Sequence, residues 1–334
     1  MSDHVLAEEA AQRIFDEEIV PIFFPDQATS ERPMMTFIVG QPGAAATRGA
    51  SQLSDDGAAG VLSAMELRTF HPRYLELSRS RSPEDARVLQ DSAAAWMRSA
   101  LGHARTNKRS LILDGALSSP DVALAATTLF ARSGFETSVV VVAVPRPESL
   151  LASASKYLLD ARDGRASQFT SLGDHDTGLV NTSALIERLE ADSSTDRLTI
   201  IDRDGAVLFD ASRLDSDSFA GALAAFDRAQ STAPLSARAM RWLSELRAVT
   251  DYALSFRQVP APLADVLGEL HEIGRRQILP AMSLPQDSQA RPHAEAALER
   301  HLVAIQQATR VDRRPERRPG SSVSAPEVDR SISI

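Results

Sequence analysis

The stretch Thr36-Phe37-Ile38-Val39-Gly40-Gln41-Pro42-Gly43-Ala44-Ala45-Ala46-Thr47 carries an apolar strand directly into a glycine-punctuated turn. Its frame is that of a phosphate-binding loop, G-x-x-x-x-G-K-[ST], with Ala45 where the frame has glycine and Ala46 where it has lysine. In a complete loop, backbone N–H groups and the N-terminus of the following helix cradle phosphates, and the lysine ammonium reaches the β and γ oxygens. Ala46 has no charge to offer, and Ala45 adds a Cβ where glycine allows close backbone approach. Gly40, Gly43, Ala44 and Thr47 are the vestigial nucleotide-binding positions, with the Thr47 hydroxyl still able to face Mg²⁺. The half-frame alone also fits an ordinary strand–turn–helix, so the rest of the chain decides.

Short β-rich runs alternate with helical segments along the first two thirds. After the strand at residues 35–39 come Val61-Leu62, Leu111 to Leu113, Val139 to Val144 and Leu198 to Ile201, with helices predicted over Pro83 to Arg105 and Pro120 to Ser133. That alternation predicts an α/β core, a parallel sheet flanked by helices. A helix is expected over Val5 to Ile19, where Ala11, Ile14, Phe15 and Ile19 fall near a 3.6-residue period, closed by Pro21. Asp202-Arg203-Asp204-Gly205 reads as a hairpin turn between Leu198-to-Ile201 and Ala206-to-Phe209.

From about Leu214 the pattern turns helical to about Thr309, with Leu263, Val266, Leu267, Leu270 and Ile273 at helical spacing between Pro262 and Pro280. Five arginines fall between Arg310 and Arg318, followed by a Ser- and Pro-rich end. That composition buries too little apolar surface to order itself. The expected organisation is an α/β domain over 1–213, a helical subdomain over 214–309 and a disordered tail over 310–334.

With 334 residues the chain can hold one large or two modest domains. The absence of cysteine excludes disulfides and thiolate metal sites. No run approaches the length of a membrane span, and the acidic, amphipathic N-terminus does not read as a targeting segment, so a cytoplasmic protein is expected. A net charge of −9 disfavours a general nucleic-acid-binding surface.

Several short motifs, in order and spacing, resemble the zeta toxin family of P-loop kinases, which phosphorylate the sugar 3′-hydroxyl of UDP-N-acetylglucosamine. They are Ile14-Phe15-x-x-Glu18-Ile19-x-Pro21, Gly40-Gln41-Pro42-Gly43-Ala44, His71-Pro72, Asp114-Gly115 with Pro120-Asp121-Val122, Ala143-Val144-Pro145 and Asp202-Arg203-Asp204-Gly205. The resemblance covers roughly Ile14 to Asp210 and implies a P-loop kinase-like core.

Carried over position by position, it also implies a degenerate site. The family's lysine falls on Ala46 and its general-base aspartate on Met65, whose thioether cannot accept a proton at neutral pH. Its substrate-binding glutamate falls on Arg98, its UDP-sugar Thr and Arg on Ala116 and Ser118, and its two phosphoryl-neutralising arginines on Lys156 and Gln168. Thr47, a possible Mg²⁺ contact, and Asp114 survive. The resemblance therefore implies an inactive pseudokinase serving as a binding or regulatory module, with no cofactor expected and an antitoxin-like chain or active paralogue as partner. The alternative is an ATP- and Mg²⁺-dependent kinase of a toxin–antitoxin system, using Arg48 or Lys156 against the phosphates.

The seven histidines show no metal-ligand spacing. Ser171, Asp174, His175 and Asp176 lie close together, but no G-x-S-x-G elbow accompanies them, and His175 matches a histidine the family carries at that offset. His71 before Pro72 reads as a turn residue, and Trp96 as core or cleft wall.

Overall fold

The computed structural model describes residues 5–24, 32–44, 60–80, 82–115, 119–165, 169–215, 218–256, 259–284 and 289–312. The sheet strands are β1 (Met34–Val39), β2 (Gly60–Ser63), β3 (Leu111–Asp114), β4 (Glu136–Val142), β5 (Arg197–Ile201) and β6 (Val207–Ser212). Their spatial order is β2-β3-β1-β4-β5-β6. The first five run parallel, and β6 returns antiparallel to β5 through the expected hairpin, where Gly205 takes φ +87° and Asp202 N–H donates to Ala206 O at 2.9 Å. The sheet is thus mixed, because a connection as short as residues 202–206 can join only antiparallel neighbours.

Alternation along the central strands covers both faces. Phe37, Val139, Val141, Leu111 and Leu113 point into one core, with Trp96 and Phe130. Ile38, Val140, Val142, Ile112 and Ile201 point to the other, where they meet Ala44 of the loop.

The helices are α1 (Glu8–Ile14), α2 (Val20–Phe23), α3 (Ala64–Arg68), α4 (Tyr74–Arg79), α5 (Pro83–Asn107), α6 (Pro120–Arg132), α7 (Arg146–Arg162), α8 (Leu172–Ala191), α9 (Ala222–Ser231), α10 (Ser236–Ser255), α11 (Ala261–Ile273), α12 (Leu279–Ala281) and α13 (Ala290–Asp312). Ser82 before Pro83 and Ser119 before Pro120 cap α5 and α6 by accepting from Asp85 N and Val122 N. A capping hydroxyl followed by proline at the first helical position starts a helix efficiently.

Pro21 does not close the first helix as expected. A π-turn at Phe15–Ile19 precedes it and the helix continues through α2 to Phe23. The same arrangement recurs where Gly274–Ile278 forms a π-turn before Pro280. Widening the turn ahead of a proline relieves the clash of its ring with the preceding carbonyls.

The C-terminal helices form a second core in which Trp242, Leu246, Leu263, Leu267 and Leu270 pack on Leu150, Leu151, Ala154 and Leu158 of α7. Helix α9, by contrast, packs Ala222, Ala225 and Phe226 into the sheet core. Helix α13 runs to Asp312, past the expected boundary at Thr309. The rest of the arginine-rich tail lies outside the described residues.

Candidate functional site

The turn after β1 lies at the carboxyl end of the sheet, where β1 is flanked by β3 on one side and β4 on the other. Such a switch point leaves a crevice above the strand ends. Gly40 opens the turn, Ala44 N–H donates to Gln41 O at 3.0 Å, and Gly43 takes φ +81°. A Cβ on Gly43 would lie 2.0 Å from Ser149 O, and one on Gly178 would lie 2.4 Å from Pro42 Cδ. These two glycines let α7 and α8 close directly on the loop.

A buried polar chain fixes this contact. The Gln41 amide N–H donates to Val144 O and to Ser149 Oγ, the latter at 3.4 Å. Ser149 Oγ stands 2.9 Å from His175 Nε2, and His175 Nδ1 stands 3.3 Å from Asp176 Oδ1. Arg146 grips Asp176 with both Nε and Nη2, at 2.7 and 3.0 Å, and sends Nη1 to Glu269 of α11 at 2.9 Å. Burial holds His175 below the ordinary histidine value, partly opposed by its bond to Asp176. The Arg146 guanidinium, before any other influence, holds Asp176 below the usual carboxylate range. A neutral His175 with its proton on Nδ1 accepts the Ser149 hydroxyl, so the donors run from the loop toward Asp176.

The Ser–His–Asp geometry is not a nucleophilic triad. Ser149 and His175 are both 0% exposed, so no substrate reaches them. Ser171, the serine near His175 in sequence, instead caps α8 in a capping box with Asp174.

A cleft of about 600 Å³ opens over the loop, lined by Gly40, Gly43, Ala44, Gly115, Lys156 and Arg203 among others. Of the positions expected from sequence, the structure thus gathers Gly40, Gly43, Ala44 and Lys156. Lys156 is neutralised from behind, its Nζ 2.6 Å from Asp160 Oδ2, and Asp160 also receives Arg165 Nε at 3.1 Å. Asp114 ends β3 in register with Ile38 and Ser63, and is buried at 7% exposure. Met65, on α3, is 56% exposed, and neither it nor Arg98, exposed on α5, lines the loop cleft. Ala45, Ala46, Thr47, Arg48, Ala116, Ser118 and Gln168 lie outside the described residues.

Three positions escaped the sequence reading. Gln41 and Ser149 pair across 108 residues of chain, and no local pattern announces that. Arg203 was legible only as part of a hairpin turn, yet that turn projects over the loop cleft. His71 and Trp96 are where their residue types predict. His71 is buried and accepts from Arg73 N–H at 3.2 Å, and Trp96 is buried with its indole N–H donated to Ala11 O at 2.9 Å.

Residues 23–213 match the family model described as Zeta toxin. Toxin PezT of Streptococcus pneumoniae is 23% identical over 189 residues, covering 54% of this chain and 73% of that protein. Toxin zeta of Streptococcus agalactiae is 23% identical over 183 residues, covering 54% of this chain and 63% of that protein. A solved structure from the PezAT chromosomal toxin–antitoxin system of Streptococcus pneumoniae superposes with a TM-score of 0.59 at 17% identity, over 74% of this chain and 98% of that one.

Proposed function

For a chain that belongs to the Zeta toxin family, we propose a role that keeps the kinase-like fold and gives up phosphoryl transfer: a pseudokinase acting as a binding or regulatory module. The observation that carries this reading is the lining of the loop cleft. Among its described residues there is no carboxylate, and of its two cations Lys156 is paired with Asp160 at 2.6 Å, while Arg203 stands 3.8 Å from Glu148, a carboxylate it shares with Arg238. Phosphoryl transfer needs free positive charge on the transferring group and a residue to take the acceptor's proton. Sequence supports the same conclusion at Ala46 and Met65.

Magnitudes make the loss decisive. A general base contributes roughly 10² to 10⁴ in rate, and an arginine on the transferring group about 10³ to 10⁵. These effects do not simply multiply, yet even their low ends would take a kinase turning over at about 1 to 100 per second below a useful rate. The partner in this reading is a protein, either an antitoxin-like chain, as the PezAT relative suggests, or an active paralogue. No helix among the described residues is long and apolar enough to cross a membrane.

One observation favours a second reading, residual kinase activity: Lys156 does line the cleft and would meet a phosphate if it left Asp160. Restoration separates the two. The variant Ala45→Gly, Ala46→Lys, Met65→Asp returns the frame's glycine, its phosphate clamp and a general base. Nucleotide binding is expected to return without phosphorylation of UDP-N-acetylglucosamine, because Arg98, Ala116 and Ser118 leave the sugar side unmatched. Phosphorylation by the triple variant at an ordinary kinase rate would show that the substrate side is intact and contradict the pseudokinase reading.

A further inference from the structure

A second cavity, of about 670 Å³, opens on the far side of Arg203 from the loop, between the β5–β6 turn and the C-terminal helices. At its wall Glu148, in the first turn of α7, is only 8% exposed. Its oxygens have no hydrogen-bonding cation, since Arg203 Nη1 and Arg238 Nη1 both stand 3.8 Å away. That spacing leaves room for other donors. Burial pushes the Glu148 carboxyl above its ordinary range, against the pull of Arg238 and Arg203.

Gln230, at the end of α9, lies at the same wall, and neither its amide nitrogen nor its amide oxygen has a partner among the described residues. Arg241 is exposed beside it and makes no ion pair among the described residues. The indole of Trp242 is fixed by donation to Pro147 O at 2.9 Å and, with Pro145 and Pro147, supplies apolar surface.

This set selects a narrow chemistry. A carboxylate accepts from neighbouring hydroxyls, an amide both gives and takes hydrogen bonds, and a guanidinium takes an oxyanion. Apolar wall with a few convergent polar groups is how small-molecule sites are built. Asp204 and Glu245 also line the cavity, the first paired with Arg238 at 2.6 Å and the second accepting from Ser155 Oγ, while Arg203 and Arg238 stand over Glu148 and favour neutral hydroxyl donors there over an ammonium group. We propose that this cavity binds a hydroxylated, anionic small molecule, a sugar phosphate or sugar acid, with hydroxyls on Glu148 and Gln230 and its oxyanion on Arg241. Among the described lining residues the site shares only Arg203 with the loop cleft, and the proposed binding does not call on nucleotide there.

Calorimetry of the full chain tests it, with glucose 6-phosphate and glucuronate as probes and glucose, inorganic phosphate and AMP as controls. At least one charged sugar is expected to bind more tightly than every control by about tenfold, and which one identifies the oxyanion. Glu148→Gln and Arg241→Ala should each weaken that binding by about tenfold, while Lys156→Ala in the loop cleft changes it by less than about twofold. Should Glu148→Gln melt early, the exposed Arg241→Ala carries the test. No binding of either charged sugar at millimolar concentration would overturn the proposal. So would tighter binding of AMP, or binding lost in Lys156→Ala and kept in Arg241→Ala.

Discussion

Gly43 is the residue on which the loop's shape turns. It combines a positive φ with a Cβ position 2.0 Å from Ser149 O, whereas a Cβ on Gly115, at φ +71°, meets no atom of the described residues within 4 Å. Gly115→Ala should therefore cost only the left-handed penalty of about 1–2 kcal/mol. Gly43→Ala adds a clash with backbone that cannot yield, a further cost of about 1–3 kcal/mol. Urea unfolding of the two variants side by side measures the difference. His175 sets a pH dependence. Because burial depresses its folded pKa, the unfolded chain binds the extra proton first, and stability is full above about 6.5 and falls as pH drops below it. His103 and His271, also lowered chiefly by burial, add to the same slope. Replacing His175 with Gln should lower stability at neutral pH but flatten its decline between neutral and mildly acidic pH, measured by thermal melts across that range. An unchanged slope would mean that His175 is protonated in the folded state as readily as in the unfolded one.

Elements lock to one another through a few polar ties across apolar faces. Trp96 of α5 holds α1 through its bond to Ala11 O, so Trp96→Phe, which keeps the ring packing, should cost about 1 kcal/mol and shift the melting midpoint accordingly. Arg146 joins α7, α8 and α11, but its partners are partly open to water, with side-chain exposures of 28%, 47% and 37% for Arg146, Asp176 and Glu269. A double-mutant cycle on Arg146 and Glu269 should then return a coupling of at most about 1 kcal/mol. At this scale the sequence was legible wherever the information is local: alternating apolar strands, Ser-Pro helix starts and the hairpin glycine all lie within a few residues of what they determine. Pro21 misled because its consequence depends on the π-turn behind it, which propensity does not reveal. The Gln41–Ser149–His175 chain and the Glu148 cavity were illegible because they join segments far apart in the chain, and residue type alone assigns no partner.

The described residues keep two packed cores under a loop cleft whose glycine frame is visible and whose described lining carries no carboxylate. Helix α7 belongs to both stories, offering Ser149 to the loop side and Leu150, Leu151, Ala154 and Leu158 to the C-terminal helices. The proposed pseudokinase accounts for intact apolar faces and loop glycines beside Ala45 and Ala46, since function resides in the site and not in the fold. In the proposed pseudokinase the loop cleft does not hold a nucleoside triphosphate productively. Ala46 in place of the frame's lysine forgoes a charge-assisted contact of roughly 1.5 to 3 kcal/mol, and Ala45 stands where the frame has glycine. Calorimetric titration of the unmodified protein with ATP and Mg²⁺, with the Ala45→Gly, Ala46→Lys variant as the positive control, tests this most directly. The unmodified chain should show no measurable binding at micromolar ATP and the variant should recover it; low-micromolar affinity in the unmodified chain would rule the pseudokinase proposal out.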